Sequence, residues 1–103
     1  MKYLEIQSPL KTIDKTTDSA IALVTELITH NTFVDEDYTT KNYVTLQYYR
    51  NLQAYMRGED PLTLRDGSKI RRMLYTGVEE IHTNNVYRCI APFANGVLTE
   101  IEF

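Results

Sequence analysis

The side chains with types suited to chemistry are few and scattered. Two histidines, His30 and His82, could move protons near neutral pH. His30 closes a stretch with helical spacing, where a cation meets the negative end of the helix dipole, and His82 stands beside a turn. Cys89 lies between Arg88 and Ile90 with no histidine near it in sequence, so it reads as a small buried hydrophobe and not as an activated nucleophile. The run Asp35-Glu36-Asp37 could attract a hard divalent cation, but it lacks the loop spacing of a calcium site and reads as a solvated, dipole-friendly lead-in to a helix. Glu79 and Glu80 are neighbours, and neighbours on a strand point to opposite faces, so they do not form an acid–base pair. No Gly-rich phosphate loop, HExxH, GxSxG or CxxC pattern occurs. The sequence therefore gives no catalytic residue, no metal ligand set and no cofactor to expect, and it leans away from an enzyme.

Binding leaves a clearer pattern. If residues 41–57 form a helix, Tyr43, Leu46, Arg50, Gln53 and Arg57 share about a third of its circumference, opposite a Val44-Tyr48-Leu52-Met56 stripe. Tyr and Arg are enriched where proteins grip one another, Tyr through area and Arg through its planar fork. The plainer reading covers Tyr43 and Leu46 with a neighbouring loop and leaves the arginines solvated. A second set, Lys69, Arg71, Arg72, His82 and Arg88, is the densest basic group. It could serve a nucleic-acid or nucleotide binder, or a small endoribonuclease with its groups on an exposed sheet face. Arg71 and Arg72 would face opposite ways on a strand, which favours charge pairing over a shared surface. A helix with apolar groups on two sides would also suit a homodimer.

The elements expected to position these residues follow from the period of the apolar side chains. Residues 3–7 alternate weakly and could form a short N-terminal strand. Over 18–30, Ala20, Ile21, Leu23, Val24, Leu27 and Ile28 fall on one helical face, with Thr17 as N-cap. A second helix is expected over 41–57, stopped by Gly58. Beyond Pro61 the period becomes two. Leu62–Arg65, Ile70–His82, Val86–Ala91 and Val97–Phe103 then read as strands, with turns at Asp66-Gly67, Thr83-Asn85 and Asn95-Gly96. Gly77 marks a bulge or a close approach. The fold expected is α+β: two N-terminal helices on one face of an antiparallel meander of about four strands, as one domain over residues 1–103.

Composition limits the function classes. A net charge of −3 argues against a dedicated nucleic-acid binder, whose affinity comes largely from neutralising phosphates. One cysteine excludes an internal disulfide and a Cys-rich zinc site. The longest apolar run, Ala20 to Val24, is far below the ~20 residues of a membrane span, and the N-terminus shows no apolar run of signal-peptide length, so a cytoplasmic protein without a membrane partner is expected. Thirteen Thr against five Ala, with many Asn, Ile, Lys and Tyr, is a usage common in AT-rich genomes, including those of many phages. The leading expectation is a non-catalytic protein-binding module, an inhibitor or adaptor of phage type, that occupies a partner protein through the second helix. Nucleic-acid handling and self-association are the rivals.

Overall fold

The computed structural model describes residues 1–102, and its chain is mainly β. A five-stranded antiparallel sheet runs in the order β6-β5-β4-β1-β7. Its strands are β1 (Lys2–Ile6), β4 (Ile21–Val34), β5 (Asp37–Tyr49), β6 (Arg71–Tyr75) and β7 (Gly96–Glu100). A two-residue pair, β2 (Leu10–Lys11) and β3 (Thr16–Thr17), stands apart from it. The helices α1 (Leu52–Met56) and α2 (Val86–Ile90) have five residues each.

The two expected N-terminal helices are not there. Residues 21–34 and 37–49 form instead one long hairpin, and the reason lies in side-chain shape. Half of β4 is β-branched (Ile21, Val24, Thr25, Ile28, Thr29, Thr32, Val34), and β5 contains four Tyr with Thr39, Thr40, Val44 and Thr45. Such residues lose rotamer freedom in a helix and fit a pleated surface. The helical spacing has its own cause. A bulge between Val24 and Glu26 makes the side chains on one face run 22, 24, 27, a step of three inside a period of two. Ile21 and Leu23 on the opposite face are covered as well, so apolar residues occur at nearly every position and mimic a helix stripe.

The C-terminal half differs too. The expected strand Ile70–His82 is a strand only from Arg71 to Tyr75, and Leu62–Arg65 is loop joined to the body by a Thr12–Leu64 bridge. The expected strand Val86–Ala91 is α2: Val86, Cys89 and Ile90, spaced i, i+3, i+4, all face the core. Phe103, placed by the sequence at the end of the last strand, lies outside the described residues.

Other expectations survive. The N-terminal strand is β1. Asn95-Gly96 does lead into the final strand, with Asn95 at φ 53°, although it leaves a helix end and not a strand. Gly58 (φ 79°) does stop a helix: Gly58 N–H donates to Tyr55 O and Glu59 N–H to Ala54 O, a Schellman closure of α1. Only that last turn of the expected second helix is helical, started by Asn51, whose side chain accepts from Ala54 N–H at 2.8 Å. Gly77 is a close approach, since a Cβ there would overlap the Tyr75 ring.

Both sheet faces are covered near the hairpin base. On one, Leu4, Ala22, Val44, Leu46 and Tyr48 pack under α2, Ile81 and Ala94. On the other, Tyr3, Ile21 and Tyr49 pack under Leu52 and Tyr55 of α1, with the Tyr49 and Tyr55 rings edge to face at 4.9 Å.

Candidate functional site

The β4–β5 hairpin outruns the sheet that holds it. β1 pairs with β4 only at Ala22 and Ile21, and β6 pairs with β5 only from Asn42 to Leu46. Beyond these, residues 30–41 pair only with each other, and every one of them is exposed. A two-stranded ribbon projects from the body and lengthens the molecule to 49 Å.

Along one ribbon face the core gives way to polar rungs and then to aromatic ones. After the Leu27–Val44 pair, Thr29 Oγ1 donates to Asn42 Oδ1 at 2.8 Å, and Thr40 Oγ1 donates to Asn31 Oδ1 at 2.6 Å. The outermost rung is Phe33 opposite Tyr38, ring centroids 5.5 Å apart. Cross-strand hydrogen bonds and aromatic pairs of this kind hold a ribbon that has no core beneath it. Phe33 is 72%, Tyr38 65% and Val34 63% exposed. The turn itself is Asp35-Glu36, both at positive φ (50° and 71°), followed by Asp37. The opposite ribbon face presents Ile28, Tyr43 and His30, the last two in edge contact at 5.6 Å.

The sequence-predicted residues end up in separate places. Tyr43 lies at the ribbon root, half-buried. Leu46 is fully buried in the core, so the shared helical surface expected for these residues does not exist. Arg50 and Arg57 both bind Glu59, at 2.9 and 2.6 Å, and the hydrogen bond from Arg57, with help from Arg50, holds that carboxyl below its usual range. Gln53 lines a polar cleft of about 610 Å³ with Tyr3, Glu5, Gln7, Asp18 and Ser19. Burial, then the Glu5 charge, pushes the Tyr3 phenol up. The cleft holds two carboxylates and no His, Cys, Lys or Arg, so it offers no acid–base pair of mixed type.

The basic set is divided likewise. Arg72 is paired with Glu26 at 3.3 Å on one sheet face, while Arg71 is on the other. Arg88 on α2 grips Glu79, whose carboxyl is lowered by that contact. Lys69 and His82 are exposed in loops. Cys89 is buried and unpaired. Among the described residues no three His, Cys, Asp or Glu are grouped to hold a metal. Among the described residues no helix is long and apolar enough to cross a membrane.

Sequence reasoning missed Phe33, Val34 and Tyr38. The available signal was the near-symmetric string Phe-Val-Asp-Glu-Asp-Tyr, aromatics flanking a four-residue turn inside β-branched runs. In comparisons with protein-family models, with curated proteins and with solved structures, nothing matched this chain.

Proposed function

We propose that this chain is a small non-catalytic protein-binding module, an adaptor or inhibitor, that engages its partner with the projecting β4–β5 ribbon. The observation that carries the reading is the Phe33–Tyr38 pair at the ribbon tip. Apolar area there adds little to folding, because no other element among the described residues pairs with it. Covered by a partner, it would contribute about 25 cal/mol per Å² removed from water. Tyr and Phe are the residue types enriched in interface cores. Tyr43, at the ribbon root, adds an aromatic side chain on the opposite ribbon face. A cytosolic setting belongs to this proposal, since the one cysteine is buried and unpaired.

The test places a photo-crosslinking phenylalanine analogue at position 33 and, as a control, at Val78, an exposed body residue. Covalent adducts to protein from position 33 that are absent from position 78 are expected. They should disappear in competition with the unlabelled chain but not with a Phe33→Ser/Tyr38→Ser variant. Equal labelling from both positions rejects the ribbon as the docking element.

A further inference from the structure

We infer that the ribbon's partner is a second copy of this chain, whose basic base receives the acidic aromatic tip in a head-to-tail contact. This rests on the docking role proposed for the ribbon and adds the identity of what it docks to. The tip carries Asp35, Glu36 and Asp37, and residues 31–40 contain no cation. At the other end of the hairpin, the loop 64–71 and the β2–β3 segment 10–17 are joined by the Thr12–Leu64 bridge and by Ile13 N–H donating to Thr63 O. These two segments hold Lys11, Lys15, Arg65, Lys69 and Arg71 against only Asp14 and Asp66. Among the described residues, none of those five cations has an ion-pair partner, whereas Arg50, Arg57, Arg72 and Arg88 all do.

Apolar complementarity follows the same line. Ile13 is 62% and Ile70 42% exposed at the basic end, which gives the Phe33 and Tyr38 rings both an aliphatic floor and guanidinium groups to lie against. Ile70 directly precedes β6, the last strand at that sheet edge. The two ends cannot meet within one molecule. Leu46, opposite Arg71, is nine residues along β5 from Asp37, roughly 30 Å at the rise of an extended strand. The charge on each end is therefore satisfied only between molecules. A contact joining different surfaces builds rings if the rotation closes and open chains if it does not. A six-residue tip is small beside the roughly 20–30 residues per side of a standard interface, so one contact is weak and association rises with concentration.

Sedimentation velocity at several concentrations and two salt levels tests this with reversed charges. The tip variant is Asp35→Asn/Glu36→Lys/Asp37→Lys, and the base variant is Lys69→Glu/Arg71→Glu. All five positions are exposed, and melting curves confirm the fold of each variant. The wild type is expected to sediment faster as concentration rises, and to lose that rise at high salt. Each variant alone stays monomeric, because like charges then face each other. Their equimolar mixture regains the rise, since each reversed end meets its complement. A wild type that stays monomeric at low salt overturns the inference, as does association that persists in both variants or a mixture that fails to recover. If position 33 crosslinks a different protein while the wild type stays monomeric, the docking role stands and the self-partner falls.

Discussion

The hydroxyls of Tyr48 and Thr17 are buried with no hydrogen-bond partner among the described residues, and Tyr48 is only 1% exposed. A buried, unpaired hydroxyl loses its water without recovering a bond, at a cost of about 1–3 kcal/mol. Its ring, by contrast, fills the core opposite Ala22. Tyr48→Phe keeps the ring and deletes only the unpaired group, so it should stabilise the protein by about 1 kcal/mol, read as a higher urea midpoint at unchanged slope. A drop in the midpoint would mean that the hydroxyl is bonded in the native state. At this scale the sequence was partly readable. Cys89 as a small buried side chain, Gly58 as a helix stop and Gly77 as a close approach all follow from local chemistry. The partner of Arg72 did not, because the Arg72–Glu26 pair spans 46 positions, and those of Arg50, Arg57 and Arg88 were masked by the helix and strands assigned to their segments. Leu46 illustrates the same limit. Its apparent place on a binding stripe depended on a helical period that the strand does not have.

The long hairpin was hidden by two departures from the usual strand signals. Its bulge at Val24/Glu26 mixes a step of three into the alternation, and its turn is Asp35-Glu36 where a tight two-residue turn with both central φ positive favours Asn-Gly. The familiar dipeptides stand elsewhere: Asp66-Gly67 closes a loop and Asn95-Gly96 leaves α2. In α2, local β propensity gave way to burial, and the i, i+3, i+4 spacing of Val86, Cys89 and Ile90 was the readable trace of it. Glu36 at φ 71° is costly for a residue with a Cβ, whereas glycine adopts that conformation freely. Asp35→Asn/Glu36→Gly should therefore stabilise the ribbon locally by about 1 kcal/mol. Amide hydrogen exchange is the suitable reading, because opening an exposed ribbon that pairs only with itself does not require global unfolding. Slower exchange at residues 29–41, with little change in the core strands, is expected. Unchanged ribbon exchange would mean that the turn is not where the strain resides.

The whole molecule divides into a body, where both sheet faces are covered, and an arm that touches only itself. That division predicts that folding and docking are separable. Replacing residues 31–40 by Asn-Gly joins His30 to Lys41, which already face each other across the ladder. The new join lies four residues from the native Val34–Asp37 rung, so the alternation of the hydrogen-bonded rungs is retained. The exchange removes three carboxylates and no cation, which takes the net charge from −3 to zero. No buried side chain is lost, so the melting temperature should move by less than ~5 °C, corresponding to under about 1 kcal/mol for a chain of this size. Partner capture and concentration-dependent sedimentation should both vanish in the same variant. If the excised chain instead unfolds, the arm is a structural element that the body needs, and its exposed aromatics must then be explained by folding rather than by recognition. A stable body that has lost its partner is the outcome this architecture implies, because among the described residues no side-chain hydrogen bond, ion pair or ring contact joins residues 31–40 to the body.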